Sequence, residues 1–97
     1  MHTISFYTNA LEPSKYLAAC VVVYTIKAVE VVRLPSVSDG SYDADVYVVL
    51  LTCAENGHGW RVQRACSNYA DAASFVSWVR ERIELAKGGD GSFERYE

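Results

Sequence analysis

The dipeptide Asn56-Gly57 stands between two runs of strand-forming residues, and this constrains the fold more than any other feature of the chain. A tight antiparallel turn needs positive φ at both central positions, which Asn and Gly tolerate. Before it, residues 45–54 are almost uninterrupted apolar side chains rich in valine, the pattern of a central strand. After it, 60–66 alternates, with Trp60, Val62, Arg64 and Cys66 on one face and Arg61, Gln63 and Ala65 on the other. A β-hairpin is therefore expected at the middle of the chain.

Downstream, Asn68 can cap a helix over residues 69–87, with Asp71 three residues on. Ala72, Phe75, Val76, Val79, Ile83 and Ala86 recur at helical spacing as a core stripe, and Gly88-Gly89 ends the helix. Residues 88–97 read as a flexible acidic tail, from which Phe93 and Tyr96 can dock on the core. Upstream, residues 3–8 alternate loosely as a first strand, 9–12 form a turn, and Pro13 suits the first position of a helix.

Residues 15–33 carry two conflicting signals. Val21, Val22, Val23, Thr25 and Ile26 are β-branched and favour a strand. Leu17, Cys20, Val21, Tyr24, Ala28, Val31 and Val32 fall on one helical face, with Lys15, Glu30 and Arg33 opposite. The spacing predicts a helix, alone or running into a strand. Residues 35–43 form a polar loop with turn chemistry at Asp39-Gly40. The expected fold is a single α+β domain over 1–87 in the order β-α-β-β-α, two helices covering one face of a small antiparallel sheet of about three strands.

Charge bears on partners. Twelve acids against nine bases give a net charge of −3 and a pI near 5.3. Free-standing nucleic-acid binders show basic stripes and high pI, so direct DNA or RNA binding is disfavoured. Cys20, Cys53 and Cys66 form no C-x-x-C pair, and their odd number makes a poor disulfide framework. They read as free, buried thiols in a reducing compartment. The first residues lack the pattern of a signal peptide. The apolar run 16–34 is interrupted by Lys27, Glu30 and Arg33, which opposes a membrane span. The bacterial cytoplasm is the expected location.

Catalytic patterns are thin. Cys53 and His58 share one hairpin, but a thiol–imidazole pair needs a third group to orient the base, and none is indicated. Gly57-His58-Gly59 lacks the rest of a dinucleotide fingerprint, no serine sits in a Gly-x-Ser-x-Gly elbow, and two histidines with scattered cysteines do not make a metal site. No enzyme, cofactor, metal or small-molecule substrate is expected; a small enzyme using Cys53 and His58 is the outlying alternative. Binding is better supported. Asp39, Tyr42, Asp43 and Asp45 place three carboxylates and an aromatic in a short loop, and Trp78, Glu81 and Glu84 lie off the core stripe of the last helix. The bland alternatives are a solvated turn, the edge of a wide core stripe and a solvated charged face.

In size, acidity and element order the chain resembles the anti-CRISPR proteins of phages and mobile elements, particularly those acting on type I-F surveillance complexes. That group shares no signature motif, so no residue is carried over as a known contact. The resemblance implies a protein-binding inhibitor that acts by partial DNA mimicry. Its partner would be a protein or ribonucleoprotein complex whose basic surface normally holds nucleic acid. Asp39, Asp43, Asp45, Glu81 and Glu84 would stand in for phosphates, and Tyr42 and Trp78 would anchor the complex. A regulatory or immunity-type module with a different kind of partner is the competing expectation.

Overall fold

A computed structural model describes residues 1–9, 18–34, 37–38, 41–42, 46–89 and 91–96, and for 37–38 and 41–42 the backbone alone. The architecture is α+β. Strands β1 (His2–Tyr7), β2 (Ala18–Val22), β3 (Ile26–Leu34), β4 (Val37–Ser38), β5 (Ser41–Tyr42), β6 (Val46–Glu55) and β7 (His58–Cys66) precede helix α1 (Tyr69–Ala86) and strand β8 (Ser92–Arg95). They build two three-stranded sheets, β2-β1-β8 and β3-β6-β7, and a two-stranded ladder of β4 with β5.

The middle hairpin forms as the turn chemistry demands. Asn56 and Gly57 take φ values of 51° and 82°, and β6 pairs with β7 from Glu55↔His58 to Tyr47↔Cys66. The register keeps Val62, Arg64 and Cys66 on the inner face with Val49, Leu51 and Cys53. Asn68 caps α1, its side-chain oxygen accepting the Asp71 backbone N–H at 2.8 Å. Ala72, Phe75, Val76 and Val79 are buried, and Ile83 and Ala86 pack partly buried against the same core.

The first half departs from the helix expected over 15–33. Residues 15–17 lie outside the described set, as do Pro13, Asp39 and Gly40. Residues 18–34 are β2, a 3₁₀ turn (Val23–Thr25) and β3, so the observed order is not β-α-β-β-α and the sheets number more than one. The β-branched run explains this, since Val, Ile and Thr lose side-chain freedom in a helix and pack well on a pleated surface. Val21 reaches the core from the first sheet, Val23 and Thr25 from the turn, and Ile26 from the second sheet. One segment thus crosses between the sheets, which a straight helix cannot do.

The expected polar loop 35–43 contains the β4–β5 ladder. The expected tail contains β8, which runs parallel to β1 from His2↔Ser92 to Ser5↔Arg95. Tyr96 docks on the core as anticipated, its ring 5.0 Å from Phe75, whereas Phe93 stays exposed. Arg82 on α1 clamps the strand by donating to Glu94 at 2.5 Å. Gly91 permits the close approach of this strand to the N-terminus, since a Cβ there would lie 2.8 Å from the Met1 nitrogen.

Phe75 is the centre of the core. Phe6 meets it edge-on at 4.9 Å, and Arg64, only 6% exposed, places its guanidinium 5.0 Å from the centroids of both Phe75 and Tyr96. One Arg64 N–H donates to the Tyr7 carbonyl at 2.7 Å, tying the second sheet to the first. Cys53 and Cys66 are buried and free, but Cys20 is exposed, contrary to the expectation that all three thiols are buried.

Candidate protein-binding surface

At the end of the molecule that carries the 55–58 hairpin, three large apolar side chains face solvent: Tyr24 (54% exposed), Trp60 (40%) and Leu85 (52%). Each is placed by a different element. The 3₁₀ turn buries Val23 and Thr25, and the Thr25 hydroxyl secures it by donating to the Val22 carbonyl at 2.6 Å. With both neighbours turned in, Tyr24 is turned out. The Asn56-Gly57 turn sets the register that aligns Trp60 with Cys53, and Cys53 aligns with Ile26 on its other side. Trp60 and Ile26 therefore lie in one row, two strand spacings or about 10 Å apart. Leu85 occupies the last turn of α1, off its buried stripe.

Between the 3₁₀ turn and the end of α1 lies a groove of about 210 Å³ lined by Val23, Tyr24, Ile26, Ile83, Ala86 and Lys87. Its floor is apolar and its rim is polar. The Tyr24 hydroxyl donates to the Glu55 carboxylate, and Lys27 donates to the Tyr24 carbonyl at 3.2 Å. The hydrogen bond to Glu55 and its negative charge hold the Tyr24 phenol above the ordinary value, so it remains a protonated donor. A tyrosine fixed by its own hydroxyl loses less freedom when a partner closes on it.

Of the residues singled out from the sequence, Asp39, Asp43 and Asp45 lie outside the described residues, and Tyr42 is the second residue of β5, described by its backbone. Trp78 is half-buried, stacked near Phe75 at 6.2 Å and against Tyr96 at 5.2 Å, with the Arg82 guanidinium 5.7 Å from its ring. It is part of the packing that docks β8, the edge of the core stripe. Glu81 and Glu84 are exposed, but each accepts from a nearby cation, Arg82 of α1 at 2.5 Å and the C-cap residue Lys87 at 3.0 Å.

Cys53 and His58 lie diagonally across the hairpin on one face, a relation that separates residues by about 7–8 Å. His58 is exposed, and Cys53 is sealed in the core, where burial pushes its thiol above the usual value. That thiol is protonated and shielded, the opposite of an activated nucleophile. Among the described residues no three His, Cys, Asp or Glu side chains converge as metal ligands, and no helix is long and apolar enough to cross a membrane.

Tyr24, Trp60 and Leu85 were not anticipated as contacts. Tyr24 was assigned to the buried face of a helix that does not form, and Leu85 differs from the stripe residues only by its angular position. Comparison with protein-family models, curated proteins and solved structures finds no match to this chain.

Proposed function

We propose that this protein works by binding another protein through its hairpin end, with Tyr24 and Trp60 as anchors. The observation that carries the reading is an apolar groove rimmed by Tyr24, whose hydroxyl is fixed by Glu55, with Trp60 exposed in the same cross-strand row as the groove residue Ile26. Tyr and Trp are enriched among interface hot spots, and the groove gives Tyr24 an apolar surface beside which a partner can be desolvated. The polar rim of Glu55, Lys27 and Lys87 supplies orientation.

A second form of protein binding is that of an inhibitor that occupies a basic nucleic-acid-binding channel through its acidic residues. It is supported by the net charge of −3 and by the three carboxylates at 39, 43 and 45. The helix adds little to it, because Glu84 is paired with Lys87 and Glu81 shares the Arg82 cation with Glu94. The two forms separate on mutation. Asp43→Lys with Asp45→Lys abolishes capture of a basic partner, whereas Tyr24→Ala with Trp60→Ala abolishes capture through the hairpin end. Unchanged capture by the Tyr24/Trp60 double variant overturns the proposal.

A further inference from the structure

Among the described residues the second sheet ends at β3, a nine-residue strand with apolar side chains on both faces beside the charges Lys27, Glu30 and Arg33. Among the described residues β3 pairs with β6 on one side and with no strand on the other. Its regular segment Ala28–Leu34 turns Val29 and Val31 toward the core and Ala28, Glu30, Val32 and Leu34 outward. Leu34 is an exposed large apolar residue on an edge strand, a combination that invites strand pairing.

We propose that β3 is a homodimer interface, pairing antiparallel with β3 of a second copy about a two-fold axis at Val31. A two-fold perpendicular to a sheet must match residues that point to the same face, which leaves few registers. Centring on Glu30 sets Glu30 against Glu30, and like charges directly opposite are destabilising. Centring on Val32 shortens the ladder. Centring on Val31 pairs the whole segment: Ala28 meets Leu34, Val29 meets Arg33 and Glu30 meets Val32, with no like charges opposite. In this register the two Glu30 side chains are diagonal neighbours on the outer face, about 7–8 Å apart, and not direct opposites.

The helix layer fits the same axis. α1 packs over both β3 and β6. Strands lie about 4.8 Å apart and the axis falls half a spacing outside β3, so the two helix axes come to about 10 Å, the upper end of helix-packing distances. On that side α1 presents Tyr69, Ala73, Ser77 and Arg80 to a groove of about 340 Å³ whose other lining residues are Val31 and Val76. Val31 is thus both the centre of the strand register and the β3 wall of the groove. About the axis the helices run antiparallel with the small residues Ala73 and Ser77 at the crossing. Tyr69 of each copy, 62% exposed, then faces the exposed Arg80 of the other, where a cation can sit over the ring.

Sedimentation equilibrium on the full chain across the micromolar range tests this. The wild type should approach twice the chain mass of 10.8 kDa as concentration rises. Val32→Glu sets two carboxylates opposite Glu30 and should raise the dimer dissociation constant about tenfold. Adding Glu30→Lys places opposite charges across the same pairs and should restore it. Arg80→Glu, on the solvent side of α1, should weaken the dimer without disturbing either sheet and carries the test if Val32→Glu fails to fold by circular dichroism. A wild type that stays at the single-chain mass throughout overturns the proposal. So does a dimer indifferent to Arg80→Glu and to folded Val32→Glu. The hairpin-end reading plays no part in this interface, so the two stand or fall separately.

Discussion

Arg64 keeps a full charge almost out of water, and its surroundings explain how. Its flat guanidinium lies against the Phe75 and Tyr96 rings, and one N–H reaches the Tyr7 carbonyl. Removing the side chain costs both packing and the hydrogen bond, so Arg64→Ala should lower stability by about 3 kcal/mol. Arg64→Met keeps most of the packing and should lower it by about 1 kcal/mol. Urea unfolding of both variants checks this, and equal losses would show that the charge matters more than the packing. The three thiols differ as sharply. Cys20 should react with a water-soluble thiol reagent in the folded protein, while Cys53 and Cys66 should react only after denaturation.

Alkaline pH gives a further residue-scale prediction. Burial raises the Cys53 and Cys66 thiols above 9.0 and the Tyr96 phenol above 10.0, with the Asp71 carboxylate adding to the rise at Cys66 and Tyr96. The folded state therefore holds these protons more tightly than the unfolded chain does. Their contribution is complete below the unfolded values and is lost as pH rises through the folded ones. The melting temperature should be flat from pH 7 to about 9 and fall above it. Replacing Cys53 and Cys66 by Ala should reduce the slope of that fall, and an unaltered slope would assign it to other groups.

At the scale of elements, what could be read from the sequence was what local chemistry decides. The hairpin announces itself in Asn56-Gly57, and α1 in its Asn68 cap and its stripe from Ala72 to Ala86. The span 15–33 did not, because Cys20, Val21, Ala28, Val31 and Val32 satisfy a helical period while belonging to strands, and Tyr24 does so from the 3₁₀ turn between them. Their partners are remote: Val21 pairs with Ile4 and Val31 with Val49, and no local window contains those pairings. The same holds for β8, a strand of four residues whose ladder partner is β1, at the other end of the chain. The candidate surface inherited the error, since Tyr24 becomes an exposed anchor only when the 3₁₀ turn is known. Gly91→Ala tests the β8 account. A Cβ against the Met1 backbone should push β8 off β1, loosen Tyr96 and the Arg82–Glu94 pair, and cost about 1–3 kcal/mol. Hydrogen exchange at Tyr96, whose N–H donates to the Ser5 carbonyl at 2.9 Å, should quicken in that variant while exchange across β6 and β7 is unchanged.

Among the described residues two surfaces differ in chemistry. The β3 edge is extended and open to pairing, and the hairpin end combines a groove rimmed by Tyr24 with the exposed Trp60. Pairing at Val31 would point the two hairpin ends in opposite directions, leaving each free for a partner. The central claim is that the hairpin end binds another protein, and its most direct test is side-by-side affinity capture from bacterial lysate. The samples are tagged wild type, the Tyr24→Ala/Trp60→Ala variant and the Asp43→Lys/Asp45→Lys variant, each confirmed as folded. Loss of one hot-spot residue typically costs about 2 kcal/mol, or roughly thirtyfold in affinity. The account predicts a partner captured by the wild type and by the lysine variant and lost by the Tyr24/Trp60 variant. The same partner recovered in equal amount by the Tyr24/Trp60 variant would contradict it.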